Sequence, residues 1–148
     1  MVPIFASLLA LGFAAGDSNS FCQPEAFDAE NLGYFVGTYD VVGRDYWTGR
    51  PFTGRASITL SDTLSVTWRD AGGNVSGTAR TERCGADKIR VLHLIFRERE
   101  TDMDALCHFS SELDNYARIT CQFERAKKGG VKKPGLLALF YRHGESPN

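Results

Sequence analysis

The sequence predicts an all-β protein, a single antiparallel up-and-down β-barrel of about eight strands. Two observations carry this expectation. Short runs alternate apolar and polar residues and are separated by Gly-, Asp- and Ser-rich turns, the pattern of half-buried antiparallel strands. Two of the runs also carry a cysteine on the apolar face, so packing and covalent linkage ask for one register.

The elements follow in order. Residues 21–31 lack alternation and read as an N-terminal arm with at most one helical turn. Residues 34–42 form the first strand, with Phe35, Gly37, Tyr39 and Val41 on one face, and residues 43–54, rich in Gly, Asp and Pro, read as a long irregular connection. In the second strand Ala56, Ile58 and Leu60 alternate, and in the third Leu64, Val66 and Trp68. The tight turn at residues 70–73 then sets Trp68 opposite Val75 and Val66 opposite Gly77 in the fourth strand. The fifth strand, residues 88–96, is almost continuously apolar, so alternation does not choose its inner face; His93 is expected to share the inside with Cys107. Residues 97–102 form a charged tip. Residues 136–141 form the last strand.

The sixth and seventh strands carry the sharpest expectation. Met103, Ala105, Cys107 and Phe109 alternate on one, and Ala117, Ile119, Cys121 and Phe123 on the other. A hairpin centred on Asp114 pairs Phe109 with Ile119 and Cys107 with Cys121, close enough for a disulfide. The start of the first strand and the end of the fourth lie at one end of an up-and-down barrel, so Cys22 is expected to bridge Cys84 and pin the arm.

Residues 1–16 have the organisation of a signal peptide: an apolar run over 2–15, small residues at its end and a polar stretch after it. The domain plan is therefore a signal peptide at 1–16, an arm at 17–33, a barrel at 34–143 and a polar tail at 144–148. Four cysteines in an exported chain favour two disulfides over a metal site and a periplasmic or secreted location, with no membrane span after cleavage. A net charge of −1 gives no electrostatic case for nucleic acid. Lys127, Lys128, Lys132 and Lys133 crowd one loop, which can contact a protein or an anionic lipid.

Phe35-Val36-Gly37-Thr38-Tyr39 resembles the glycine-x-aromatic opening of lipocalins and related calycin barrels. The segment Gly37-Thr38-Tyr39-Asp40-Val41-Val42-Gly43 resembles the first strand of small exported bacterial lipocalin-like proteins, and the similarity runs to about residue 96. The resemblance implies that Tyr39 packs at the closed end beneath a basic side chain near the last strand, a place Arg142 takes.

No chemistry-bearing constellation accompanies this fold. His93, His108 and His143 have no metal-ligand spacing, no serine lies in a Gly-x-Ser-x-Gly elbow and no glycine-rich loop precedes a helix. The sequence thus implies a protein without cofactor or catalytic residues. An eight-stranded barrel holds its own side chains or one small ligand. The leading expectation is an apolar or amphipathic ligand held by Tyr39, Trp68, Phe109 and Phe123. The alternative is a filled barrel that acts through its loops as a protein-interaction or inhibitor module.

Overall fold

The computed structural model describes residues 21–27, 29–45, 48–97, 101–109, 118–127 and 133–144, with side chains left aside at 29–31, 101, 126 and 127. The expected signal peptide at 1–16, the polar tail from residue 145, residues 98–100 of the charged tip, the turn around Asp114, and Lys128 and Lys132 all lie outside the described residues.

The elements are β1 (Cys22–Glu25), α1 (Ala29–Phe35), β2 (Gly37–Asp45), β3 (Pro51–Leu60), β4 (Leu64–Asp70), β5 (Gly73–Cys84), β6 (Ile89–Arg97), β7 (Thr101–Phe109), β8 (Ile119–Lys127) and β9 (Lys133–Tyr141). Every pairing is antiparallel, and the order β5-β4-β3-β2-β9-β8-β7-β6 is closed by a β5–β6 pairing. The protein is an all-β, eight-stranded up-and-down barrel with one further strand, β1, outside it. Closure leaves the eight strands without a free sheet edge.

β5 makes the extra strand possible. Its first half, from Gly73 to Thr78, pairs with β4, and its last four residues pair with β1 on one edge while β6 holds the other. Cys22 stands opposite Cys84 in that pairing, and the two form a disulfide with Cα atoms 4.0 Å apart. Cys107 stands opposite Cys121 on the inside of the barrel and forms the second. Both expected bridges, and the expected facing of Trp68 with Val75, Val66 with Gly77 and Phe109 with Ile119, are present. With 62 residues of separation the first bridge removes about 4 kcal/mol of unfolded-chain entropy, and with 14 the second about 3 kcal/mol.

Three local expectations need correction. Residues 34 and 35 belong to α1, not to a strand. Val36 N donates to Leu32 O at 2.9 Å, and β2 begins only at Gly37, whose φ of 154° is open to glycine and strained for other residues. The connection expected over 43–54 shrinks, because β2 runs on to Asp45 and β3 starts at Pro51. Gly43 is a paired strand residue there: a Cβ on it would fall 2.3 Å from the Phe52 ring. His93 is on the outside. Leu92, not His93, pairs with Cys107, while His93 faces Leu106 and Arg80.

The core runs the length of the barrel, through Tyr39, Val41, Ile58, Val66, Leu94, Ala105, Ile119 and Leu139. At the α1 end Phe35 meets Phe109 edge-on at 5.4 Å, and Tyr39 meets Tyr141 at 5.6 Å. At the other end Phe52, Trp68, Phe96 and Phe123 form a second aromatic cluster, with centroids 5.6 to 6.4 Å apart along its contacts. Glycines make room for these rings: a Cβ on Gly135 would fall 2.0 Å from the Phe123 ring, and one on Gly77 2.8 Å from that of Phe96.

Candidate binding site

The four aromatic residues expected to hold a ligand are divided between the two clusters. Tyr39 is fully buried beside Tyr141, and its hydroxyl donates to the carbonyl of Phe35 at 2.6 Å. Phe109 packs on Phe35 at the same end. Trp68 and Phe123 lie at the far end, both against Phe52. Tyr39 and Phe109 therefore do not meet Trp68 and Phe123 around one space. Arg142 donates to Asp40 at 3.1 Å, and the guanidinium over Tyr141, 4.3 Å from its centroid, belongs to Arg118. Burial raises the Tyr39 phenol well above its ordinary value, with Tyr141 adding to the shift and Arg118 opposing it.

A small cleft of about 170 Å³ opens at the Trp68 end, between Trp68, Val75, Phe96, Met103 and Arg125. Asp70 orders its rim by accepting from Trp68 Nε1 at 3.1 Å and from the Gly72 amide at 2.7 Å. Its volume is below the roughly 300–1,000 Å³ usual for small-molecule sites.

A larger trough lies on the outer face. Outward residues of β2, β9, β8, β7 and β6, five neighbouring strands, enclose about 700 Å³. Its walls are Val42, Ile89, Val91, Leu106, Leu136 and Ala138. Each wall residue alternates with an inward neighbour, so solvent-facing positions here are apolar where polar residues are usual. Val42 and Leu136 are 47% exposed and Ile89 52%, so these side chains do not cover one another. Arg44 is directly opposite Leu136 across the strand pair, while β8 crosses the middle of the trough with polar side chains, Gln122 between Leu136 and Leu106 and Thr120 between Ala138 and His108. Among the described residues no carboxylate lines the trough, and the one permanent charge in its lining is positive.

Beyond Val91 the outer face becomes charged. Glu82, 3% exposed, accepts from Arg80 Nε at 2.5 Å and lies 3.2 Å from His93 Nδ1. His93 Nε2 is 3.5 Å from Asp104, which in turn pairs with Arg97 at 3.0 Å. Both imidazole nitrogens thus face carboxylates, which Arg80 and Arg97 pair from the other side. Glu82 also lies within ligand distance of Cys22 and Cys84, but the two sulfurs are committed to each other. Of the lysine cluster, Lys127 ends β8 and Lys133 begins β9.

The trough escaped the sequence reading, although a signal was there. Val42 follows Val41, Leu136 precedes Leu137, and Leu106 lies between Ala105 and Cys107: three apolar residues at outward positions of alternating strands.

Comparison with protein-family models, with curated proteins and with solved structures gives no match. Two disulfides fit an oxidising, exported environment, and among the described residues no helix is long and apolar enough to cross a membrane.

Proposed function

We propose that the protein is an exported, non-enzymatic, lipocalin-like barrel that binds a single-chain amphipathic carboxylate, of the fatty-acid type, in the trough on its outer face. The reading rests on one observation: β2, β6, β7 and β9 present exposed Val42, Ile89, Leu106 and Leu136 around about 700 Å³. That volume falls within the roughly 300–1,000 Å³ of small-molecule sites. Exposed apolar side chains gathered on both sides of a polar strand in this way suit an amphipathic ligand better than plain solvent-facing sheet does. The chemistry of the rim favours an anionic head. Arg44 offers a planar fork of donors that matches a carboxylate, and no acidic residue competes for it inside the trough.

The packed aromatic clusters support an outer site over an interior one, since rings fill the space that Gly43, Gly77 and Gly135 leave. The chain of Glu82, His93 and Asp104 supports a non-enzymatic reading, because Arg80 and Arg97 join these groups in a set of mutual polar contacts.

Titration of a fluorescent polyene fatty acid tests the proposal. Binding is expected to saturate in the wild type and to weaken by at least about 10-fold in Leu106→Asp/Leu136→Asp, since each buried leucine contributes roughly 1.5–3 kcal/mol. Arg44→Gln is expected to weaken the acid by a few fold and its uncharged methyl ester hardly at all. Equal affinity in the double variant would overturn the proposal. So would a concentration-dependent dimer of the ligand-free protein that the same variant abolishes, because the trough would then be a protein interface.

A further inference from the structure

The opposite outer face, formed by β2, β3, β4 and β5, is polar and carries two adjacent rows of cross-strand neighbours. One row is Thr38, Ser57, Thr67 and Ser76; the next is Asp40, Arg55, Arg69 and Asn74. A cleft of about 310 Å³ opens over both rows, with Arg55, Ser57, Thr67, Arg69 and Ser76 in its lining.

Two features of this cleft lack an internal explanation. Arg55 and Arg69 stand directly opposite each other, an arrangement of like charges that destabilises a strand pair. The neutralising groups nearby are weak. Asp40 lies 3.9 Å from Arg55 but also serves Arg142 at 3.1 Å, and Arg69 Nε donates at 2.8 Å to Asn74 Oδ1, an uncharged amide. Second, among the described residues the Ser57 hydroxyl is buried with no hydrogen-bond partner. One row away Thr59 and Ser65 satisfy each other at 2.8 Å, so the sheet can pair such hydroxyls and does not pair this one.

A tetrahedral oxyanion accounts for both. It would offset the opposed charges and, once the Ser57 side chain turns its hydroxyl into the cleft that it lines, accept from it; arginine forks suit phosphate-like groups by geometry as well as charge. We propose that the cleft binds a phosphate or sulfate ester group of a small molecule, held by Arg55 and Arg69 and by the hydroxyls of Ser57 and Thr67. The site is on a different face from the apolar trough and stands or falls independently of it.

The probes are inorganic phosphate, inorganic sulfate and acetate, each titrated at constant ionic strength in chloride while amide and arginine Nε–H resonances are followed. Phosphate or sulfate is expected to give saturating shifts at the Nε–H of Arg55 and Arg69 and at the amides of Ser57 and Thr67. Which of the two binds more tightly identifies the ester. Arg55→Gln and Arg69→Gln are each expected to weaken binding about 10-fold or more, the scale of a charge-assisted contact, and Ser57→Ala a few fold. In chloride alone the two glutamine variants are expected to melt no lower than the wild type, because a like-charge opposition is gone. Saturating phosphate or sulfate is expected to raise the melting temperature of the wild type by more than that of either glutamine variant. Linear, unsaturated shifts with both tetrahedral anions would overturn the assignment, as would acetate binding as tightly as they do. Unchanged affinity in Arg69→Gln would overturn it too.

Discussion

Tyr39, the second inward residue of β2, donates its phenolic proton to the carbonyl of Phe35, the last residue of α1, at 2.6 Å, and both side chains are fully buried. The carbonyls of a final helical turn have no partner within the helix, and a buried one left without a partner is costly. Tyr39 supplies that partner from the strand that follows, so the short helix and the barrel close on each other. Tyr39→Phe keeps the ring contact with Tyr141 and deletes only the donor. It is expected to lower unfolding free energy by about 1–2 kcal/mol in urea titration. No loss would mean that the helix closes the barrel through packing alone.

The same burial sets an alkaline limit. The Tyr39 phenol is raised above its unfolded value, mainly by burial. A group with a raised folded pKa contributes its full stability below the unfolded value, about pH 10 for tyrosine, and loses it as pH climbs beyond. Stability is therefore expected to fall above about pH 10, and less steeply in Tyr39→Phe. Ultraviolet difference titration of the folded protein should count the same number of ionising tyrosines in both. One fewer in the variant would show that Tyr39 titrates in the native state.

Glycine positions on the inner face fix the packing of the far cluster. A Cβ on Gly77 would fall 2.4 Å from the carbonyl oxygen of Ile95, a backbone atom of the neighbouring strand, and one on Gly135 would meet the ring of Phe123 at 2.0 Å. Gly77→Ala and Gly135→Ala are each expected to destabilise by about 1–3 kcal/mol, the usual cost of overpacking. The Gly135 variant should also perturb the ring resonances of Phe123. Alanine tolerated at both positions without loss would show that the rings are not packed as described.

Much of this architecture was legible in the residue pattern, and the failures have identifiable causes. The Cys107–Cys121 register followed because apolar alternation and cysteine placement gave the same answer twice. α1 was missed because two turns containing Gly33 carry little periodicity; the spacing of Leu32, Phe35 and Val36, three residues that pack on the core, was the available sign. His93 was placed inside because its strand is apolar on both faces. Extending the 97–102 turn would have set it opposite Leu106, as observed. The candidate trough was hidden for a different reason. It is assembled from two outward residues on each of five strands, and no local stretch of chain contains more than a few of its parts.

β1 is held outside the barrel by a carboxylate as well as by a disulfide. Glu25 receives Arg90 at 3.0 Å and Arg83 at 2.7 Å, and the Arg90 hydrogen bond foremost lowers its pKa, with Arg83 assisting against the opposing effect of burial. A depressed folded pKa gives stability that is present above the unfolded value and lost as pH falls through the folded one. In Cys22→Ser/Cys84→Ser, where the disulfide no longer holds the strand, hydrogen exchange of the Gln23 and Glu25 amides is expected to quicken as pH falls below the ordinary carboxylate range. After correction for the intrinsic rate, exchange independent of pH there would assign the docking of β1 to its backbone pairing.

The most direct measurement is an intermolecular NOE map of the protein saturated with laurate. Binding in the outer trough requires contacts from the acyl chain to the methyl groups of Val42, Leu106 and Leu136, with the carboxylate carbon near Arg44. NOEs from the chain to the rings of Tyr39, Trp68, Phe109 or Phe123 would contradict the account, because they would put the ligand inside the barrel.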